Sequence, residues 1–129
     1  ICNLKHIDDE IESRKQAFLR YTERLTNVNG LKVLPVADTI KQNYAYYPLL
    51  VDEVKFGLNR DALCKKLEAS GIMARKYFYP LVSENKEFKE DLTISTPKAK
   101  HFSQNVMCLP LYAHLSIQDV DRICDVILK

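Results

Sequence analysis

A stripe of apolar residues with helical spacing runs through residues 4–28 and constrains the fold more than any other feature. Its steps alternate between three and four residues, with one gap at Arg14; the members are Leu4, Ile7, Ile11, Phe18, Tyr21, Leu25 and Val28. This spacing predicts a long helix from about Leu4 to Thr26, which Asn29-Gly30 ends. Such a narrow stripe is typical of a helix that packs along another domain or a partner helix. We interpret Arg14 as reaching water with its guanidinium; the alternative is a charge aimed into an interface.

Short strand and helix patterns alternate after this helix. Asn59 can cap a helix that Ser70-Gly71 ends, and Pro48 predicts an edge or a bulge in its strand because proline has no N–H. A strand, helix, strand order here predicts a crossover connection with parallel strands. The predicted elements are strands at Leu31–Val33, Asn43–Val51 and Ile72–Tyr79, and a helix at Arg60–Ala69.

The last third of the chain predicts a loop, two helices and one strand. Residues Leu81–Ser95 are polar and charged and are interpreted as a mobile loop, and Thr96-Pro97 opens a helix that runs to about Asn105. A short strand follows at Val106–Leu109. Ser116 to Asp119 forms a capping-box pattern at the start of the final helix. The sequence therefore predicts an α+β fold, with a small mixed sheet of three to four strands packed with helices and led by one long helix.

Composition excludes several classes of protein. The 129 residues suffice for one domain with a core, and 47% hydrophobic and 28% charged residues are ordinary globular values. A net charge of +2 argues against nucleic-acid or membrane-surface binding by bulk charge, and no stretch is apolar enough to span a membrane. Three glycines leave no glycine-rich phosphate loop. No signal-peptide pattern is visible in the first ten residues, so we expect a cytoplasmic protein.

Cysteines and histidines show no metal-binding or catalytic pattern. None of the four cysteines falls in a C-x-x-C pair or at zinc spacing from a histidine, which favours reduced, buried thiols. The histidines are scattered as His6, His101 and His114. No nucleophile–base set can be assembled, so the residues alone indicate neither a catalytic centre nor a metal site.

The segment from Ala74 to Pro80 is the most unusual stretch, because two cations and three aromatic rings alternate there. On a strand, Arg75, Tyr77 and Tyr79 would share one face. The arginine offers a fork of donors that matches a phosphate, and the tyrosines offer surfaces for a base or a sugar. A sheet face with no ligand explains the pattern equally well. A second aromatic cluster, for which core packing is the favoured interpretation, comprises Asn43, Tyr44, Tyr46 and Tyr47.

Taken in order, several segments resemble the C-terminal part of the DegT/StrS-type (DegT/DnrJ/EryC/StrS) nucleotide-sugar aminotransferases. The ordered set, with its spacing, is more specific than any single motif and spans essentially all residues. The segments are Asn3–Ile11, Arg14 with Tyr21, Asn43–Pro48, Gly71–Pro80, Leu109–Tyr112 and Leu115–Ile123.

This resemblance implies the small C-terminal domain of a pyridoxal-phosphate enzyme, with residues 1–28 as the connecting helix and 29–129 as the α+β domain. Such enzymes are homodimers that pass an amino group from glutamate to a keto-sugar nucleotide for cell-surface polysaccharide or amino-sugar biosynthesis. The cofactor's lysine belongs to a large domain absent here, and no lysine in this sequence matches its motif. We therefore expect a piece of a longer protein that is inactive alone and binds no cofactor by itself.

The same resemblance places Arg75, Tyr77 and Tyr79 towards the cleft between domains, as substrate-binding residues. The run from Arg75 to Tyr79 looks like the branch that acts at C4 of thymidine-diphosphate 4-keto-6-deoxy sugars. Two other functions stay open. One is an autonomous regulatory module that binds a small anionic ligand, and the other is an RNA-binding domain with stacking tyrosines, against which the near-neutral charge argues.

Overall fold

The computed structural model describes residues 3–37, 39–85 and 95–129. Most of the loop predicted at 81–95 lies outside these ranges. A single 3₁₀ turn at Asn3–His6 precedes the first helix, and another lies at Val82–Glu84. The helices and strands, in chain order, are α1 (Ile7–Leu25), β1 (Leu31–Val33), β2 (Tyr47–Val51), α2 (Glu53–Phe56), α3 (Arg60–Ala69), α4 (Pro97–Asn105), β3 (Val106–Leu109) and α5 (Ile117–Leu128).

Local capping signals place the helices where the sequence predicts them. The Asn59 side chain accepts a hydrogen bond from the Ala62 amide at 2.8 Å, which starts α3. The Ser116 hydroxyl accepts from the Asp119 amide at 3.0 Å and donates to the Asp119 carboxylate, which starts α5. The four-residue α2 was not predicted, because so short a helix shows no apolar period.

The sheet has three strands in the order β1-β2-β3, and both neighbouring pairs are antiparallel. The α+β class is confirmed, but the prediction of a mixed sheet is wrong. Arg75 forms one further antiparallel bridge with Cys108 of β3. Segment 72–76 therefore runs parallel to β2, as the crossover predicted. The chain returns from α4 as β3 and fills the place between them, so no two neighbours are parallel.

Pro48 lies in the central strand, but β1 ends before it could face Pro48. At this point the side of β2 towards β1 is therefore an edge, as predicted. The backbone N–H and C=O of Cys108 both bond to Arg75, so the facing pair of Pro48 and Cys108 exchanges no hydrogen bond. The Pro48 nitrogen therefore points to the side of β1. That strand has already ended, with Val33 opposite Leu49. No ladder bond is lost at the proline.

The strand predicted for Ile72–Tyr79 is wrong beyond one bridge. The Arg75 amide donates to the Cys108 carbonyl at 3.0 Å, and the Cys108 amide donates back at 2.8 Å. The next rung in one direction would need an N–H on Pro110, which has none. In the other direction the Val106 carbonyl accepts from the Arg60 guanidinium at 2.9 Å. Both rungs are blocked, so the chain leaves the sheet.

The core lies where α1, α3 and α5 pack with the buried face of the sheet. The apolar stripes predicted for α3 and α5 are buried, and so is the end of the α1 stripe at Tyr21 and Leu25, but Leu4 and Ile7 at its start are exposed. Cys64, Cys108 and Cys124 are free thiols, and burial raises the pKa of Cys124 to about 11. Fully buried side chains at the centre of the core include Tyr21, Leu25, Tyr47, Leu49, Leu63, Leu67, Val120 and Ile127.

Ion pairs join α1 to α5 at the rim of this core. Arg20 makes a two-point contact with Asp121 at 2.8 and 3.0 Å, and Arg24 reaches both Asp121 and Asp125 at 2.7 Å.

Arg14, the gap in the apolar stripe, has a buried Nε without a hydrogen-bond partner in the described part of the chain. A buried Nε is compatible with an arginine whose terminal nitrogens reach water. No helix in the described ranges is long and apolar enough to cross a membrane.

Candidate functional site

A cavity of about 540 Å³ opens between segment 71–77, the turn after β3 and the start of α5. This volume lies within the usual range for small-molecule sites, roughly 300–1,000 Å³. Its lining combines apolar residues with aromatic and charged side chains. The side chains with polar groups are Tyr46, Arg75, Tyr77, Tyr112, Asp119 and Arg122.

Arg75 and Tyr77 meet at this cavity, as the sequence predicts. The exposed Arg75 guanidinium donates to the Tyr77 hydroxyl at 3.3 Å. Tyr46 packs edge-on against Tyr77, with ring centroids 5.1 Å apart. This bond uses one of the five N–H donors of the guanidinium, and the two rings form an aromatic wall beside it. Such an arrangement can hold an anionic group next to a planar or sugar ring.

Tyr79 does not join this pair. Its ring lies under the Arg60 guanidinium, 5.0 Å from ring centroid to Cζ, and 5.8 Å from the Lys76 ammonium. The shared face predicted for Arg75, Tyr77 and Tyr79 requires a regular strand, and the chain leaves the sheet after Arg75. The alternation of faces therefore stops, and the third residue of the predicted set contacts α3 instead of the cavity.

The second aromatic cluster divides in the same way. Tyr47 is fully buried, which confirms core packing for this residue, and the half-buried Tyr44 contacts Phe18 with ring centroids 5.3 Å apart. Tyr46 is 53% exposed and lines the cavity. The prediction that it belongs to the core is therefore wrong, because Tyr46 precedes the first residue of β2 and projects away from the core face.

Arg60 is not among the residues that the sequence predicts for this region. Only 2% of its side chain is exposed, and its Nη1 donates to the carbonyls of Ser103 at 3.0 Å and Val106 at 2.9 Å. Its Nε bonds to Asp61, whose carboxylate also pairs with Lys76 at 2.9 Å. Lys76 first, and Arg60 after it, hold the pKa of Asp61 below its usual value. The available signal was the helical spacing of Arg60 with Leu63 and Leu67, which places an arginine on the buried face.

The described lining of the cavity lacks a lysine for pyridoxal phosphate, and the described residues lack a cluster of metal ligands. No lysine lines the cavity in the described part of the chain, so nothing there could hold pyridoxal phosphate through an imine. Nor do residues 3–37, 39–85 and 95–129 contain a group of three or more His, Cys, Asp or Glu that could hold a metal ion.

The fold, with helices around a small antiparallel sheet and one long leading helix, is shared with solved aminotransferase structures. The chain belongs to the DegT/DnrJ/EryC1/StrS aminotransferase family, whose model matches residues 1–128. This confirms the resemblance noted from the ordered segments.

One relative is the dTDP-4-amino-4,6-dideoxy-D-glucose transaminase of Escherichia coli, which is 32% identical over 131 residues, covering 99% of this chain and 35% of the relative. The crystal structure of DesI in the presence of its TDP-sugar product superposes with a TM-score of 0.90 at 23% identity, over 96% of this chain and 32% of that one. The crystal structure of a DegT DnrJ EryC1 StrS aminotransferase from Brucella abortus superposes with a TM-score of 0.81 at 27% identity, over 96% of this chain and 32% of that one. The chain thus spans about a third of the length of the curated relatives it matches.

Proposed function

We propose that these residues form the C-terminal small domain of a pyridoxal-phosphate aminotransferase that acts on a nucleotide-linked keto-sugar. The match of residues 1–128 to an aminotransferase family carries this proposal. Glutamate is the proposed amino donor, and a thymidine-diphosphate 4-keto-6-deoxyhexose is the proposed acceptor. The relative from Escherichia coli, which is named as a transaminase of a dTDP-4,6-dideoxy sugar, supports that class of acceptor.

In this proposal the described residues form a wall of the substrate pocket. Arg75 binds a phosphate or another anionic oxygen of the sugar nucleotide, and Tyr77 and Tyr46 provide the surface against which its ring lies. Pyridoxal phosphate, bound in a larger domain, supplies the chemistry that carries the amino group between the two substrates. This chain alone is inactive, the enzyme is a cytoplasmic homodimer, and its product serves polysaccharide or amino-sugar biosynthesis.

The first test is a visible spectrum of the complete polypeptide encoded by the reading frame that contains this sequence. We expect a yellow protein whose absorption band shifts to that of the amine form of the cofactor when glutamate is added. The shift should reverse when the keto-sugar nucleotide is supplied. A protein that stays colourless with added pyridoxal phosphate would contradict the proposal.

Replacing Arg75 tests the role of the cavity. In the complete enzyme, Arg75→Ala should raise the KM for the sugar nucleotide about tenfold, since a hydrogen bond to a charged group contributes roughly 1.5–3 kcal/mol. Pyridoxal-phosphate affinity and the KM for glutamate should stay unchanged. Lys65→Ala, which removes an exposed cation of α3 outside the cavity lining, serves as the control. Equal KM values for the two variants would remove Arg75 from the substrate site.

An autonomous ligand-binding module remains the second candidate, because the cavity is built entirely from this chain. It predicts that the 129-residue chain binds thymidine diphosphate by itself and loses this binding with Arg75→Ala. Titration calorimetry on the chain would detect it. For such a module, we expect the complete polypeptide to stay colourless with added pyridoxal phosphate while the 129-residue chain binds thymidine diphosphate.

A further inference from the structure

A group of four side chains holds the segment that carries Arg75 and Tyr77. We call it the Arg60 clamp; it consists of Arg60, Asp61, Lys76 and Tyr79. Arg60 covers the Tyr79 ring at 5.0 Å, and the Lys76 ammonium lies 5.8 Å from the same ring. Asp61 joins the two cations, through the Arg60 Nε and through Lys76 at 2.9 Å. Two members of the clamp, Lys76 and Tyr79, belong to segment 75–79 and lie on either side of Tyr77 in the sequence. Arg60 and Asp61 of α3 therefore hold this segment at two points.

The backbone alone holds this segment weakly. Arg75 makes one antiparallel bridge to Cys108, and the chain forms no further rung with β3. Arg60 occupies the Val106 carbonyl, where the next rung would lie, and also binds the Ser103 carbonyl at the end of α4. A guanidinium that is 2% exposed and bonded to two backbone carbonyls has little freedom to move. It thus provides a fixed point against which the exposed segment rests.

We propose that Arg60 and Asp61 are positioning residues: through Lys76 and Tyr79 they fix segment 75–79 so that Arg75 and Tyr77 face the sugar nucleotide. This inference rests on the proposed function for its substrate, but its structural part stands on the contacts alone. Asp61 lies outside the cavity lining and therefore acts through Lys76 and Arg60 rather than on the ligand. In this role Tyr79, predicted from sequence as a substrate contact, belongs to the clamp.

Kinetics of the complete enzyme separate positioning from mere stability. Asp61→Asn removes the charge that pairs with Lys76 and Arg60 while keeping the size of the side chain. We expect the KM for the sugar nucleotide to rise about tenfold, since misplacing a binding group by an ångström costs up to roughly 100-fold. The KM for glutamate should not change, and Asp61→Glu should restore most of the loss. Asp125→Asn is the matched control, because Asp125 is a similarly half-exposed partner of an arginine, on α5.

If Asp61→Asn lowers the melting temperature but leaves the sugar-nucleotide KM equal to that of Asp125→Asn, the positioning role is overturned. If the complete enzyme turns over no sugar nucleotide at all, the proposed function fails, and a second measurement decides on the clamp. Nuclear magnetic resonance of the 129-residue chain should show a slowly exchanging Arg60 Nε–H with a contact to the Tyr79 ring. Asp61→Asn should shift the amide signals of residues 75–79, and Asp125→Asn should not. Unshifted signals in Asp61→Asn would overturn the clamp.

Discussion

Gly30→Ala should destabilise the chain by about 3 kcal/mol, which combines roughly 1–2 kcal/mol for a left-handed backbone with roughly 1–3 kcal/mol for overpacking. Gly30 has a φ of +80°, and a Cβ built there would lie 2.3 Å from the Phe56 nitrogen and 2.7 Å from its Cα. These are backbone atoms of α2, so no side-chain rotation relieves the clash. The Gly30 carbonyl accepts from the Asp52 amide at 2.8 Å, which prevents the turn from moving away without losing that bond.

Gly71→Ala provides the control for this prediction. Gly71 has a similar φ of +74°, but among the described residues no atom other than those of its chain neighbours lies within 4 Å of the built Cβ. Its cost should therefore be the backbone part alone, about 1–2 kcal/mol. Urea unfolding of both variants, followed by circular dichroism, gives the two free energies. Equal losses would mean that α2 gives way to the added methyl group, and that the close approach to Phe56 contributes nothing.

Features that depend on neighbouring residues were predictable from the sequence. Asn59 and Ser116 bond to amides three residues on, so the starts of α3 and α5 follow from short stretches of sequence. The apolar period of α1 and the edge at Pro48 are local signals as well. The resemblance to the aminotransferase family likewise depends on residues in order, and it needed no structure.

Features that depend on distant pairing were not predictable in this way. The alternation from Ile72 to Tyr79 fits a strand, but whether a strand forms depends on what lies opposite. Here Pro110 and the occupied Val106 carbonyl lie opposite, and both belong to a part of the chain thirty residues away. The insertion of β3 between β2 and segment 72–76 is also a matter of topology, which local period cannot encode.

The candidate site shows the same division. Arg75 and Tyr77 were predicted together and are found together, because they flank a single residue next to the bridge. Tyr46 lies outside the core, and Tyr79 does not share a face with Arg75 and Tyr77, since the face on which each lies is set by where a strand begins or ends. The helical spacing of Arg60 with Leu63 and Leu67 indicates its burial, but its contacts do not follow from the sequence, because its two carbonyl partners lie more than forty residues away.

The second large effect concerns this arginine: Arg60→Met should destabilise the chain by about 3 kcal/mol. Methionine replaces the stem of the side chain but not its donors, so two buried carbonyls, of Ser103 and Val106, lose their partner. Each unsatisfied buried group costs roughly 1–3 kcal/mol, and the contact with the Tyr79 ring adds roughly 0.5–2 kcal/mol. The relief of a buried charge offsets part of this sum. Urea unfolding at neutral pH measures the result.

Arg122→Met separates burial from the simple loss of an arginine. Arg122 is exposed and donates to one carbonyl, that of Ser70, at 2.6 Å, and water can replace it there. Its removal should cost within about 0.5 kcal/mol, the usual range for surface substitutions. The loss in the free energy of unfolding for Arg60→Lys should fall between those of the two methionine variants. A lysine can reach a carbonyl, but it cannot bond Asp61 and two carbonyls as a planar fork. If Arg60→Met and Arg122→Met unfold at the same urea concentration, the desolvation of the buried guanidinium cancels its hydrogen bonds. Arg60 would then determine where segment 75–79 lies without adding to the stability of the fold.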